Sequence, residues 1–244
     1  MELKRKNYDD TAVLTEEELM HKHLPTANGA RWIELGCGQA RSALQLARKL
    51  PGVDIYAYEV DEQQHAKNLA IPSCPTNLTF GKAGMQDFPA TDASVDAVIM
   101  LKSLHHVPQE HMEAGFARVQ RALKPGGLLF ICEPVFEGDF NEILRLFHDE
   151  EQVRSQAFEM IKSQVKTGAF ALQEELHFRQ STSFPRGFFD FEERILGSTF
   201  NHFDLTDAVR ETVKERFETH LADDGSATFL VPMRLDLLVK TDKG

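Results

Sequence analysis

Arg31-Trp-Ile-Glu-Leu-Gly-Cys-Gly-Gln-Ala-Arg41 is the stretch from which the rest of the chain can be read. Arg31 to Gly36 is a short apolar strand. From Arg41 to Leu50, Leu44, Leu46, Ala47 and Leu50 are spaced as one face of a helix. Between strand and helix, Gly36 and Gly38 permit a tight turn, where a ligand can lie against bare backbone and the amides of the helix start point at it. Pro51-Gly52 closes the helix and Asp54-Ile-Tyr-Ala-Tyr-Glu59 follows as a second strand, so the core opens with a βαβ unit.

Downstream the alternation continues. A helix is expected at Gln63 to Leu69, a short strand at Leu78 to Phe80, and a buried strand at Val95 to Leu101, a near-continuous apolar run of the kind parallel sheets require. Met112, Phe116, Val119 and Leu123 mark a helix face within His111 to Leu123; Lys124-Pro-Gly-Gly127 breaks it and Leu128 to Cys132 is a fifth strand. The implied architecture is α/β, a Rossmann-like, doubly wound, mostly parallel sheet. After Pro134 the character changes. Phe140 to Thr167 reads as one long or two shorter amphipathic helices, Glu175 to Phe184 as a strand, Phe189 to Phe200 and Leu205 to Leu221 as helices, and Ala227 to Lys240 as a terminal strand or hairpin. Upstream, Thr15 and Glu18 form a capping-box pattern at the start of a helix running to His23. The expected division is a core with its lead-in over residues 1–134, a helical cover inserted at the sheet edge over 135–200, and a C-terminal helix and strand completing the core over 201–244.

The 244 residues carry 38 acidic and 27 basic side chains, a formal charge of −11, which repels phosphate backbones and makes nucleic acid an unexpected partner. No apolar run is long enough to cross a bilayer and the first ten residues do not form a signal peptide, so a cytoplasmic protein, monomer or homodimer, is expected. Cys37, Cys74 and Cys132 have neither disulfide nor zinc-site spacing and are read as reduced thiols, with no metal expected.

The ligand of the glycine turn is narrowed by two acids. Glu59 stands 21 positions after Gly38, the spacing of a carboxylate that receives the ribose hydroxyls of an adenosine. A dinucleotide fingerprint needs a small residue where this chain has Arg41. Glu34 would repel a diphosphate but stabilise a cationic sulfonium amino acid, so both ends favour S-adenosylmethionine over NAD.

In these residues the chain resembles the class I S-adenosylmethionine-dependent methyltransferases of the small-molecule type. The likeness runs from Arg31 to Pro134. It rests on Arg31-Trp-Ile-Glu-Leu-Gly-Cys-Gly, Tyr58-Glu-Val-Asp61, Phe80-Gly-Lys-Ala-Gly-Met-Gln-Asp-Phe-Pro89, Ser94 to Val107 and Leu123-Lys-Pro-Gly-Gly-Leu-Leu-Phe130, in that order. The resemblance implies that Glu34 meets the methionine amino group, that Gly36, Cys37 and Gly38 line the methionine moiety, that Glu59 holds the ribose and that Val60 flanks adenine. Leu101, where the fourth strand ends, belongs to the same set. Two departures stand out: Ala40 replaces the third glycine, and Gly84 replaces the acid that meets the adenine amino group, leaving Met85 backbone and Gln86 side chain to read the base.

The chemistry implied is methyl transfer to a small molecule, for which His105, His106 and Glu133 are candidate bases. The histidine pair is read first as a packing element. Lys102, Arg179, Phe184 and Arg186 are candidate substrate contacts, each set against a surface or core role. Asp96 is read as structural. The other readings kept open are a tRNA-modifying group transferase using the same pocket and a non-catalytic S-adenosylmethionine-binding protein.

Overall fold

A computed structural model describes residues 1–5, 7–197 and 205–241. Its core begins with β1 (Ala30–Leu35), α2 (Arg41–Lys49) and β2 (Val53–Glu59), preceded by α1 (Glu16–His23), whose capping box between Thr15 and Glu18 is formed. Then come α3 (Glu62–Leu69), β3 (Leu78–Lys82), β4 (Val95–Leu101), a single 3₁₀ turn at Leu104–His106, α4 (Gln109–Ala122) and β5 (Leu123–Pro134). The remainder comprises α5 (Asp139–Leu144), α6 (Glu151–Lys166), β6 (Phe170–Phe184), α7 (Phe188–Phe191) running into a π turn at Glu192–Leu196, α8 (Asp207–Glu218) and β7 (Ala227–Lys240). The part of the expected helix at 198–200, and positions 201–204 and 242–244 of the expected C-terminal unit, lie outside the described residues.

The seven strands form one sheet of order β3-β2-β1-β4-β5-β7-β6. The first five are parallel, and β7 is antiparallel to both β5 and β6, so the terminal element is a strand and not a hairpin. Successive residues of β1 face opposite ways: Trp32 packs with Ile55, Ala97 and Phe130, while Ile33 and Leu35 pack with Val98, Met100 and Ile131. Asp96 accepts the Arg31 N–H at 2.8 Å and pairs with Lys124 Nζ at 2.7 Å, tying the starts of β1 and β5 to β4.

Two expectations are revised. The fifth strand starts at Leu123, not Leu128, because Gly126, at φ +73°, lets Lys124-Pro-Gly-Gly127 kink within the strand instead of ending it. The segment after β5 is two helices, one of the two expected alternatives, but α6 lies on the sheet face beside α4 and not at the sheet edge. Ala157 and Ile161 of α6 bury against the cluster that holds Phe116 and Val119, so the insertion is the crossover between β5 and β6, which flank β7 on either side. On the opposite face the phenylalanines of β6, α7, α8 and β7 close an aromatic cluster around Phe184, Phe191 and Phe217.

Candidate active site

The order of strands reverses between β1 and β4, and an open α/β sheet has its crevice at that point, beyond the carboxyl ends of the strands. A cavity of about 850 Å³ lies there. Glu34 to Ser42 on one side, Glu59 to Asp61 on another and Ala83 to Gln86 on a third surround it. The ends of β4 and the following turn, from Met100 to Ser103 and on to Pro108, complete the ring.

The glycine turn is held by backbone demand. Gly36 has φ +72°, and a Cβ there would stand 2.7 Å from the Cβ of Ser103, so neither conformation nor space admits a side chain. Gly38 has φ +51° and a Cβ there would meet nothing within 4 Å, which leaves bare peptide facing the cavity. Ala40 sits at φ +54°, the left-handed region that makes glycine the usual occupant of its position, and α2 begins at the next residue.

Glu59, at the end of β2, is nearly buried and receives three backbone amides: Gly38 N–H at 2.7 Å on Oε2, and Val60 and Asp61 N–H at 2.8 and 3.0 Å on Oε1. It therefore braces the turn from across the crevice. Behind the turn, Asn68 Nδ2 donates to the Gly38 carbonyl at 2.8 Å while its own Oδ1 accepts from Gln64 at 2.8 Å. The two residues stand four apart on the face that α3 buries.

Glu34 is the other acid. Burial, helped by the nearby Glu16 and opposed by Lys102, pushes its carboxyl up to about 8. None of the described residues hydrogen-bonds to it, so a buried carboxyl faces the cavity with its oxygens open to a ligand cation. Glu16 reaches in from α1, where it pairs with Lys102 Nζ. Burial raises the thiols of Cys37 and Cys132 well above the usual range, which fits unreactive packing groups.

Gly84, Met85 and Gln86 line the third side, and a Cβ on Gly84 would lie 2.6 Å from Gln86 Oε1. Gln86 thus fills the space an acid at 84 would use. The Met85 side chain turns away into the core, close to Gly115.

Of the candidate bases, only His106 lines the cavity. His105 and Glu133 are buried beneath it and bonded to each other through Nδ1 and Oε2; Glu133 also accepts the Ser103 and Leu104 amides at 3.1 and 2.8 Å. The second face of His105 looks at Glu150, with Nε2 to Oε1 at 3.5 Å. Burial would lower the His105 pKa, but Glu133 and Glu150 outweigh it and hold the ring protonated to about 9. His106 is lowered, first by burial and then by the neighbouring His105 cation.

The substrate candidates divide. Lys102 and Leu101 line the cavity. Arg179 does not: its guanidinium donates to the carbonyls of Asp9 and Thr11 at 2.8 and 2.9 Å and straps the N-terminal segment to β6. Phe184 is fully buried in the aromatic cluster. Arg186 pairs with Asp190 and Glu193 on the surface, over the ring of Phe189. The arginine that does line the cavity is Arg194, on the π turn, anchored by the Ser183 carbonyl at 2.6 Å with its guanidinium over the Phe184 ring. Nothing in the local sequence marks Arg194, Ile195, Glu16 or His111 as cavity residues, because each arrives from a different element.

Comparison with known proteins agrees with this geometry. Residues 33–127 match the family model described as a methyltransferase domain. An O-methyltransferase of Aspergillus nomiae is 26% identical over 154 residues, covering 59% of this chain and 67% of that protein. The 27-O-demethylrifamycin SV methyltransferase of Amycolatopsis mediterranei is 30% identical over 144 residues, covering 54% and 49%. The chain thus spans about half to two thirds of the length of such curated relatives. Among solved structures, the YcgJ protein of Bacillus subtilis superposes with a TM-score of 0.64 at 18% identity, over 93% of this chain and 98% of that one, a likeness of fold. Strand order, glycine turn and paired acids, with residues 33–127 matching a methyltransferase domain, are together similar to the class I S-adenosylmethionine-dependent methyltransferases of the small-molecule type.

Proposed function

We propose that this chain transfers the methyl group of S-adenosylmethionine to a small-molecule acceptor in the cavity at the β1–β4 crevice. The observation that carries this reading is the side-chain-free surface at Gly36 and Gly38, flanked by Glu34 at one end and Glu59 at the other. The residues fit the cofactor. Glu34 would meet the amino-acid end, Gly36 to Gly38 would lie along the methionine, Glu59 would take the ribose hydroxyls, and Val60, Met85 and Gln86 would enclose the base. When bound, S-adenosylmethionine supplies an already activated sulfonium methyl, so the protein contributes alignment and exclusion of water.

The chain's own work falls to the β4 exit. Leu101 and Lys102 set the wall beside which the methyl would lie, and His106, kept neutral, faces the cavity as the group able to take a proton from the acceptor. His105 and Glu133 fix the turn that carries His106. Arg194 and His111 are offered as acceptor contacts. Acids at positions 16, 34, 59 and 61 line the cavity in a chain of charge −11, which opposes a polyanionic acceptor. No helix among the described residues is long and apolar enough to cross a membrane. We place the protein in the cytoplasm, as monomer or homodimer.

Parallel calorimetric titrations with S-adenosylmethionine, S-adenosylhomocysteine and NADH test the reading. Both sulfur nucleosides should bind one per chain and NADH should give no heat. Heat from NADH, or none from either nucleoside, overturns it.

A further inference from the structure

We propose that His105, His106 and Glu150 form a binding site for a single divalent ion of the zinc class, open towards the cavity. One nitrogen from each histidine and one Glu150 oxygen lie within 4.8 Å of one another, a spacing that a small closing movement would bring to coordination distance. His105 Nε2 and His106 Nε2 stand 3.5 and 4.0 Å from Glu150 Oε1.

What separates this cluster from a casual meeting of polar groups is the shell behind it. Glu133 is bonded to His105 Nδ1 and fixes the ring so that Nε2 faces Glu150, where a divalent ion would displace the proton held between them. A carboxylate behind a ligating imidazole is the usual outer support of a metal-bound histidine. Glu150 is oriented in the same way: Arg154 Nε donates to its Oε2 at 3.1 Å, which leaves Oε1 facing the histidines, with His148 Nε2 2.9 Å from that oxygen. His105, Glu133 and Glu150 are all buried, whereas the His106 ring is half-exposed and lines the cavity.

Three protein ligands with one open side is the arrangement of a working zinc centre, and two imidazoles with one carboxylate are donors suited to zinc among available divalent ions. On the reading of the cavity given above, an ion here would occupy the His106 nitrogen and take over its part, since an acceptor hydroxyl bound to the ion would lose its proton more readily. The site itself does not depend on that reading. The adjacent histidines and Glu150 come together only because the start of α6 packs over the 3₁₀ turn, so no ligand spacing announces the site in the sequence.

Metal binding is measured directly. Chelator-treated protein is dialysed at neutral pH against submillimolar Zn2+ and the retained metal counted by elemental mass spectrometry; Co2+ replaces zinc for visible absorption. The expected result is one ion per chain and a d–d band in the cobalt form. His106→Ala, which removes a half-exposed ring and no core packing, should weaken binding at least ~10-fold, and Glu150→Gln, checked for folding by circular dichroism, should do the same. His21→Ala, on the exposed face of α1, should bind like the unaltered chain. No retained zinc in the unaltered chain, or equal retention after His106→Ala, overturns the site. Because neither readout passes through methyl transfer, and nucleoside titration is run separately, failure here is distinguishable from failure of the proposed function.

Discussion

The two halves of this molecule use glycine and arginine in opposite ways. Up to β5, the site is made of backbone: Gly36 and Gly38 adopt conformations that side chains resist, and Glu59 holds the turn through the Gly38 amide. Beyond β5, charged residues that look like substrate contacts are spent on the fold. Arg179 straps the N-terminal segment and Arg186 closes a surface ion-pair cluster. A motif built from local backbone geometry keeps its meaning wherever it occurs, whereas the role of a lone arginine is set by whichever acid or carbonyl tertiary packing places beside it.

The sharpest way to break this contrast is Gly36→Ala. With a Cβ 2.7 Å from that of Ser103 and φ at +72°, the variant should lose about 2–4 kcal/mol of stability and nearly all nucleoside binding, read by thermal melting and calorimetry. Retention of both would mean that the turn tolerates side chains and that its backbone is not the ligand surface.

Glu59→Ala comes next. Loss of charge-assisted hydrogen bonds should weaken S-adenosylhomocysteine by about 2–3 kcal/mol, or roughly 30- to 150-fold, with unchanged affinity removing Glu59 from the site.

Glu34 gives a pH test. Its carboxyl stays protonated in the folded protein up to about 8 but ionises near 4.5 when unfolded. Between those values the folded state holds the extra proton, so ligand-free stability falls as pH rises across that window. Glu34→Gln should flatten that slope, raise ligand-free stability at neutral pH by on the order of 2 kcal/mol, and weaken the sulfonium nucleoside. An unchanged slope in denaturant titrations at several pH values would show that Glu34 ionises normally.

The smallest effects belong to the arginines. Arg179→Ala should cost about 1–2 kcal/mol by releasing the N-terminal strap, and Arg186→Ala should change stability less than that, both with nucleoside affinity intact. A selective loss of acceptor affinity in either variant would restore it to the cavity and erase the contrast.

Much of the cofactor half was legible because its signals are short-range. A short apolar strand, two glycines, a helix face and an acid 21 residues on all sit inside one βαβ unit, and their geometry follows from steric limits on the backbone. Asn68 and Gln64 were missed because polar residues on a helix face read as solvated until the helix is docked. Arg194 was missed for another reason: its guanidinium reaches the cavity only through the π turn and the support of Phe184 and Ser183.

By itself, then, the sequence determined the βαβ opening, the parallel sheet and the glycine turn at the crevice, since these depend on φ angles and hydrophobic period. Tertiary structure alone decided that the insertion after β5 is a crossover on the sheet face, that Arg179 and Arg186 serve the fold, and that His105, His106 and Glu150 meet. Those outcomes depend on contacts between residues distant in the chain. Their free energy comes from burying apolar faces such as that of α6, which is indifferent to the chemistry of the polar side chains it brings together.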